Sequence, residues 1–355
     1  MAQSGNSRRD FLKTTTAAVA SAAMGPLALA QPGKVDPSKI LNYNPKMGYR
    51  RLGKTGFMIS EVSLGGHGAT TAQPVENRVA VLEKAVELGI NYVDNNIDAE
   101  CDLYGAAMAA SKTAGRDKWF IGFASWPEKV TEEYEKELTP EGMMKNIEAR
   151  LRSYKTDVLD MWRPVGATWG KGQTNINTLL MVSHKALDMV VQVFEKAHQQ
   201  GKVRYLGISA HNPKVFRRVL DGYAQFSAII FPYLFLTREL GGDSLLKLAQ
   251  QKDVGVIGLK PFGAGTTFGI KPQQIQGKLD RRAHVLVKEM LQEKRISAVI
   301  PGVNTAEQLE ENVRGSYDRD APKTAADQEI LRQCRESFYA HLTPEYQWLR
   351  QWERV

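Results

Sequence analysis

The sequence predicts an α/β protein, a (β/α)8 TIM barrel with an N-terminal β-hairpin cap and a C-terminal tail. Eight short β-rich runs alternate with segments of helical periodicity, an order typical of parallel strands joined by crossover helices. The stretch from Val62 to Gly315 holds all eight units in about 250 residues, the usual length of such a barrel. The alternative, a doubly wound sheet, is disfavoured because the first turn, Gly65–Thr71, lacks the G-x-G-x-x-G spacing.

The first element, residues 1–30, is predicted to be a twin-arginine signal peptide. Arg8 and Arg9 stand directly before Asp-Phe-Leu-Lys, an Ala-rich apolar run follows, and the segment ends on Ala28-Leu29-Ala30, a small-x-small cleavage pattern. The alternative is a lipid-anchoring or cytoplasmic amphipathic N-terminus. The signal predicts the twin-arginine export machinery as a partner and a periplasmic location for the mature chain.

A linker and a hairpin come next. Residues 31–48 are rich in Pro, Lys and Asn, which is typical of a linker. Tyr49 to Ile59 has two apolar ends around Gly-Lys-Thr-Gly, a hairpin pattern. The segment from Gly48 to Thr55 also matches the phosphate-loop pattern G-x-x-x-x-G-K-[ST], but the linker precedes it and a strand follows it. A hairpin turn is therefore preferred to nucleotide triphosphate binding.

The barrel domain is expected to span residues 49–315. Pro140 and Pro213, each after a capping residue, indicate helix starts, and Gly89 and Gly201 indicate helix ends. The predicted strands begin at Val62, Asn91, Trp119, Val158, Val203, Ala228, Val254 and Ala298.

Residues 316–355 form a C-terminal extension beyond the last βα unit. The extension carries the large aromatic side chains of Tyr346, Trp348 and Trp352. Because burial of such large apolar side chains stabilises the folded state, we expect the extension to fold back and pack on the barrel.

Composition excludes several classes of protein. The chain has 355 residues, 43% of them hydrophobic and 24% charged, which predicts a packed core rather than disorder. Its net charge of +8 is spread without a block of one sign, so a nucleic-acid partner is not indicated. Two cysteines are too few for a disulfide scaffold. No apolar run after the first thirty residues is long enough to span a membrane.

Several short pieces occur in an order that resembles the aldo-keto reductases. The resemblance covers about residues 49–315 and implies NAD(P)-dependent oxidoreductase activity on a (β/α)8 barrel closed at the bottom by an N-terminal hairpin. The pieces are Tyr49-Arg-Arg-Leu-Gly-Lys-Thr-Gly56, Val62-Ser-Leu-Gly-Gly66, Glu87-Leu-Gly-Ile-Asn-Tyr-Val-Asp94, Gly201-Lys-Val-Arg-Tyr-Leu-Gly-Ile-Ser209 and Val299-Ile-Pro-Gly302.

The resemblance also implies a cofactor site for NAD(P). Ser209 matches the group that holds the nicotinamide amide, although Ala210 replaces the neighbouring Asn. The seventh loop would cradle the pyrophosphate, and the last loop and helix would hold the adenosine end. Neutral Asn304 stands where a cation often pairs the 2′-phosphate, which weakens the case for NADP over NAD and leaves the choice open. The loop and helix residues are Lys260, Pro261, Phe262, Gly263 and Gly265, then Gly302, Asn304, Gln308 and Asn312. For Gln308 and Asn312 the alternative is a solvated helix face.

Most of the family's catalytic tetrad is missing by position. Asp94 matches the catalytic Asp, but Ala99, Ala124 and Arg163 stand where the resemblance implies a Tyr, a Lys and a His. Tyr104 lies near the first of these positions, in a helical segment where an aromatic residue usually belongs to the core.

If a different general acid replaces the missing Tyr, His67 and His211 are the candidates because imidazole titrates near neutral pH. For each of them the alternative is a surface or loop residue. No fixed ligand spacing supports a metal site.

Three functions are consistent with these observations. The first is an exported NAD(P)-dependent oxidoreductase that acts on a small carbonyl or alcohol substrate with non-standard acid/base residues. The second is a catalytically degenerate barrel that serves as a binding or scaffold protein in the cell envelope. The third is a non-redox lyase or isomerase that uses the His and carboxylate residues of the upper rim. The sequence leaves the substrate and the oligomeric state open.

Overall fold

Parallel strands form the wall of a barrel in the computed structural model, which describes residues 36–65, 73–125, 139–164, 167–170, 173–177, 184–269 and 280–355. The chain divides into two units, Met1–Lys39 and Ile40–Val355, and the barrel belongs to the second. The strands are β1 Tyr49–Arg51, β2 Met58–Ser60, β3 Tyr92–Asn95, β4 Phe120–Ser125, β5 Leu159–Pro164, β6 Ala167–Gly170, β7 Gln173–Asn177, β8 Val203–Ser209, β9 Phe226–Pro232, β10 Gly255–Leu259 and β11 Ala298–Ile300.

The main sheet has seven parallel strands in the order β11-β10-β9-β8-β5-β4-β3. The eighth place, between β11 and β3, is filled by the segment from Val62 to Gly65. Val62 bridges to Val299, and Leu64 bridges to Val93. The segment therefore joins the two edges of the sheet, and the predicted (β/α)8 barrel is confirmed.

Helices cover the outside of this barrel. Pro140 and Pro213 each begin a helix whose preceding side chain, from Thr139 or Asn212, accepts a hydrogen bond from a first-turn amide, as the sequence predicts. No helix in the described ranges is long and apolar enough to cross a membrane. The helices are α1 Val75–Glu87, α2 Asp98–Ala110, α3 Pro140–Ser153, α4 His184–Gln199, α5 Pro213–Gly222, α6 Leu245–Gln251, α7 Ala283–Met290, α8 Ala306–Tyr317 and α9 Ala325–His341.

The hairpin of β1 and β2 closes the bottom of the barrel. Its turn, Gly53–Thr55, is a short 3-10 helix followed by a strand, so the hairpin interpretation of the phosphate-loop pattern is confirmed. Gly53 has a φ of +47°, and a Cβ there would lie 2.2 Å from the backbone nitrogen of Gly255. The amide of Lys54 donates to the carbonyl oxygen of Asp253 at 2.7 Å. Glycine at position 53 thus permits the close approach of hairpin and barrel.

A buried carboxylate fixes this hairpin to the rest of the chain. Glu61 is 3% exposed and accepts hydrogen bonds from Arg50 Nε and Ser316 Oγ, both at 2.7 Å. Arg319 Nε lies 3.6 Å from the same carboxylate. Since Arg50 also donates to three backbone carbonyls between residues 291 and 296, one cluster joins the hairpin to the end of α8.

Replacing this carboxylate should destabilise the protein strongly. We expect Glu61→Gln to lower the free energy of unfolding by about 3–5 kcal/mol, because it leaves the largely buried Arg50 cation uncompensated. Urea denaturation would measure the change. Glu329→Gln, which breaks an exposed pair with Arg332, is the matched control and should leave the free energy of unfolding almost unchanged, because solvent screens that pair. Equal losses in the two variants would contradict the role given to Glu61.

The inside of the barrel is apolar below and polar above. One cluster of buried side chains fills the lower interior, and its members alternate along the strands with residues that face the helices. Further along β3, β5 and β8, the inward positions are polar. The apolar cluster consists of Leu52, Ile59, Tyr92, Phe120, Met161, Ala228, Ile230, Ile257 and Ala298.

The C-terminal extension packs on the upper rim. Phe338 of α9 is fully buried against the loop after β10, where a Cβ on Gly263 would lie 2.8 Å from its ring. Beyond α9, a 3-10 helix spans Pro344–Trp352. The indole of Trp352 stacks on Phe231 of β9 with ring centroids 4.9 Å apart. The extension therefore covers part of the rim beside the ends of β9 and β10.

Candidate active site

Three polar side chains meet inside the upper mouth of the barrel. Asp94, Arg163 and Ser209 lie near the carboxyl ends of β3, β5 and β8 and are 6%, 4% and 3% exposed. Asp94 shares the inward parity of Tyr92, and Arg163 shares that of Met161, so the strand period directs both side chains into the barrel.

Arg163 links the other two side chains. Its Nε donates to Asp94 Oδ2 at 2.9 Å and its Nη2 donates to Asp94 Oδ1, which makes the pair bidentate. Its Nη1 donates to Ser209 Oγ at 2.7 Å. Burial opposes the guanidinium charge, but the adjacent Asp94 carboxylate prevails and raises the pKa of Arg163. Arg163 is therefore a fixed cation in the mouth.

Tyr92 supports the pair from below. Its hydroxyl donates to Asp94 Oδ2 at 2.7 Å, and the side chain is fully buried. Burial, together with the negative charge of Asp94, raises the pKa of Tyr92 well above its usual value. Gly122 of the neighbouring strand makes room for the phenol, because a Cβ there would lie 2.2 Å from the hydroxyl oxygen.

Lys260 adds a second cation at the mouth. It follows β10 directly and is partly buried, and its φ of +52° lies in the left-handed region. Burial lowers the pKa of Lys260 to about 8, while the nearby Glu100 carboxylate raises it and the Arg163 cation lowers it further. The amine therefore lies within electrostatic reach of both Glu100 and Arg163.

The residues predicted to bind the adenosine end of the cofactor lie close together at the start of α8. Gln308 Oε1 accepts a hydrogen bond from the backbone amide of Asn304 at 2.8 Å. Asn304, Gln308 and Asn312 are 5%, 9% and 2% exposed, so the alternative of a solvated helix face is wrong. Asn304 Oδ1 is buried and has no hydrogen-bond partner among the described residues. An acceptor in that state fits the exocyclic amine of an adenine.

The glycines of the seventh loop adopt conformations that suit a close backbone approach. Gly263 and Gly265 have φ values of +55° and +91° within a 3-10 segment that follows Pro261 and Phe262. The ring of Phe262 lies 5.0 Å from that of Phe268. Gly302 bridges to Gly65 beside the last loop, and no atom of the described residues lies within 4 Å of where its Cβ would be.

Comparison with known proteins identifies the family. The family model described as Aldo/keto reductase family matches residues 61–292, more than half of the chain. The chain belongs to the aldo/keto reductase family. This family consists of NAD(P)-dependent oxidoreductases, so the chain is an enzyme of that class and NAD(P) is its cofactor. The amides at the start of α8 fit that group, which supplies or accepts a hydride when bound.

Individual relatives agree with this assignment. The chain is 23% identical over 311 residues to the uncharacterized oxidoreductase YqkF of Bacillus subtilis (strain 168), covering 76% of this chain and 91% of the relative. It is 23% identical over 321 residues to L-glyceraldehyde 3-phosphate reductase of Escherichia coli (strain K12), covering 76% and 87%. The solved structure of aldo-keto reductase AKR11C1 from Bacillus halodurans (holo form) is similar in fold, with a TM-score of 0.59, 19% identity and coverage of 81% and 96%.

The structure also shows where the residues lie that stand at or near the tetrad positions implied by the family resemblance. Ala99 lies in the first turn of α2, and Ala124 is buried on β4. Tyr104 belongs to the core, where burial raises its pKa to about 12 and its hydroxyl accepts from Arg78 Nη1 at 3.2 Å. Arg163 occupies the mouth itself.

The two histidine candidates have different outcomes. His67 lies outside the described residues. The ring of His211 stacks on Trp348 with centroids 3.8 Å apart, and its carbonyl oxygen accepts from Trp352 Nε1 at 3.1 Å. The C-terminal extension thus contacts His211, whose catalytic role stays a prediction. Within the described ranges, no group of three or more His, Cys, Asp or Glu side chains is placed to hold a metal ion.

Sequence reasoning did not assign site roles to Arg163 or Tyr92. The available signal was the strand period: Tyr92 and Asp94 are two apart, and Arg163 is two after Met161. Counting inward positions from the apolar residues would have placed both in the barrel interior.

Breaking the Arg163–Asp94 pair should show how much the pair contributes to the stability of the protein. We expect Arg163→Met to lower the free energy of unfolding by about 3–5 kcal/mol, because it leaves the Asp94 charge buried without its counter-ion. The double variant Arg163→Met with Asp94→Asn removes both charges and should recover most of that loss. Urea denaturation of the three proteins measures the difference. A double variant as unstable as the single one would contradict a charge-pair origin.

Proposed function

We propose that the chain is an exported NAD(P)-dependent oxidoreductase that acts on a small carbonyl or alcohol substrate through non-standard polar residues. The observation that carries this proposal is the buried network of Arg163, Asp94 and Ser209 at the barrel mouth. Active sites of such barrels form at this face. The name of one relative, L-glyceraldehyde 3-phosphate reductase, supports a small aldehyde as the kind of substrate.

In this proposal Arg163 polarises the substrate oxygen. Three of its five N–H groups bind Asp94 and Ser209, which leaves two without a partner among the described residues. These donors would stabilise the negative charge that develops on a carbonyl oxygen during hydride transfer. Asp94 and Ser209 hold the guanidinium in place, and Tyr92 holds Asp94. Because its pKa is raised, Arg163 does not release a proton, and His67 and His211 stay the predicted acid/base residues.

The residues that stand in place of the family's tetrad are neighbours through the register of β4 and β5. Ala124 of β4 pairs directly with Arg163 of β5, and Gly122 pairs with both Asp94 and Met161. Small residues on β4 let the Arg163 side chain cross that strand to reach Asp94 on β3. A lysine at position 124 would point a second cation into this space. The arginine and the alanine therefore form one arrangement, and we interpret it as a replacement of the usual tetrad.

One observation favours the second candidate, a binding or scaffold barrel. Phe338 packs so closely on Gly263 that the extension alone requires a glycine there. The conformation of the predicted pyrophosphate loop is thus not specific to a nucleotide. Cofactor binding by the mature chain separates the two functions.

The oxidoreductase proposal predicts that residues 31–355 bind both the reduced cofactor and its adenosine end. NADH or NADPH fluorescence should change on titration, and Gln308→Ala should weaken the affinity about tenfold, equivalent to about 1.4 kcal/mol, by removing a buried amide. Gln225→Ala is the matched control, since that exposed amide precedes β9 at the opposite end of the barrel. No fluorescence response to either cofactor at millimolar concentration would reject the proposal in favour of the binding barrel.

Export through the twin-arginine route is a separate part of the proposal and rests on residues 1–30, which lie outside the described ranges. Cells that express the full chain should yield processed protein in the periplasmic fraction. Replacing Arg8 and Arg9 by lysine should retain the precursor in the cytoplasm, because the arginine pair is the feature that the export machinery recognises. Lys13→Arg preserves the charge outside the pair and should leave export intact. Unchanged export of the double lysine variant would contradict this route.

A further inference from the structure

Arg78 of α1 is a fully buried cation that the reaction proposed above does not use. Among the described residues it pairs with no carboxylate. Its guanidinium donates to the hydroxyl of Tyr104, the side-chain oxygen of Gln73 and the carbonyl oxygen of Val303, and its Nε has no hydrogen-bond partner there. Burying a cation without a counter-ion is costly, because hydration is lost and no opposite charge replaces it. What the buried charge provides therefore lies in its contacts with neutral groups.

One of these contacts is to the last loop of the barrel. Nη1 and Nη2 of Arg78 both donate to the carbonyl oxygen of Val303, each at 3.2 Å. Hydrogen bonds from a charged donor are stronger than neutral ones, and two nitrogens on one oxygen fix its direction more firmly than one. The ring of Tyr104, with its centroid 4.9 Å from the guanidinium carbon, holds the cation through a cation–π contact.

Val303 and Asn304 share one peptide group, and its two polar atoms are held by different helices. The carbonyl oxygen accepts from Arg78 of α1, and the N–H donates to Gln308 Oε1 of α8 at 2.8 Å. Because a peptide group is planar, fixing its oxygen and its hydrogen fixes the orientation of the plane. That plane sets the direction in which the side chain of Asn304 leaves the loop.

We propose that Arg78 is a positioning residue for the adenosine end of the cofactor. Together with Gln308 it holds the 303–304 peptide, and so keeps Asn304 and the exposed Gly302 in the arrangement that receives the adenosine. Arg78 is itself fully buried, so it acts through this peptide and does not touch the cofactor. The inference rests on the NAD(P) binding proposed above and extends it to a residue 225 positions away from the last loop.

A double-variant cycle on residues 31–355 tests the shared peptide, with NADH or NADPH fluorescence giving the dissociation constants. Gln308→Ala should weaken binding about tenfold, and Arg78→Lys, which keeps the charge and loses the two-nitrogen contact, about fivefold. The double variant should bind within about twofold of the weaker single variant, because a peptide already released by one change has little more to lose. Losses that multiply to about fiftyfold would show independent effects and overturn the proposal.

Arg150→Lys is the matched control for the loss of a buried guanidinium. Arg150 of α3 is 2% exposed and pairs with Asp98, and no printed contact joins it to the last loop. Its replacement should leave the affinity for NADH within about twofold of the wild type even where it destabilises the fold. Equal losses of affinity in Arg150→Lys and Arg78→Lys would mean that Arg78 acts only through general stability.

Competition with ADP-ribose locates the effect on the cofactor, since this ligand has the adenosine end and lacks the nicotinamide. Its affinity should fall in Arg78→Lys by the same factor as that of NADH. An unchanged affinity for ADP-ribose would contradict a role at the adenosine end.

Tyr104→Leu gives the same information if Arg78→Lys does not fold. It keeps Arg78 and removes the ring and the hydroxyl that hold the guanidinium. We expect weaker NADH binding that again fails to multiply with the loss in Gln308→Ala, and either an unchanged affinity or multiplied losses would count against the proposal. Absence of any fluorescence response in the wild type rejects cofactor binding itself, whereas these outcomes overturn only the role given to Arg78.

Discussion

The ion pair between Arg163 and Asp94 is the constraint on which the upper half of the barrel depends. Two charges less than a tenth exposed are stable only when each faces the other, and the bidentate geometry meets that condition. The pair spans β3, β4 and β5, and Ser209 extends it to β8. One side chain therefore ties together the ends of three strands, β3, β5 and β8, in addition to the backbone hydrogen bonds of the sheet.

The same pair determines which chemical roles the barrel mouth can serve. An ordinary general acid needs a pKa near the working pH, and a guanidinium with a raised pKa cannot supply one. What Arg163 offers is fixed positive charge and directional donors, which suit a substrate oxygen. Burial lowers the pKa of Lys260, and the Arg163 charge adds to that effect.

The C-terminal extension brings a separate constraint to the rim. Phe338 fills the space over Gly263, and Trp348 and Trp352 contact the ring and the carbonyl oxygen of His211. Burial of these aromatic side chains stabilises the loops after β8 and β10 together. The extension thus helps to fix two loops that the family resemblance assigns to cofactor binding. It also restricts the movement of His211 toward a substrate.

Local pattern in the sequence determined the barrel, the bottom hairpin and the helix starts at Pro140 and Pro213, because strand alternation, turn glycines and capping residues act over a few neighbouring positions. The candidate roles of Asp94 and of the amides of α8 came instead from the resemblance to the aldo-keto reductases. Only the tertiary structure showed that Arg163 reaches Asp94 across β4, that Tyr92 lies beneath them, and that Phe338 covers Gly263. These contacts join residues far apart in the chain, and they depend on the register of neighbouring strands and on space left by Gly122 and Ala124. Local periodicity carries no information about contacts between residues so far apart in the chain. The cationic barrel mouth is therefore evident only in the tertiary structure.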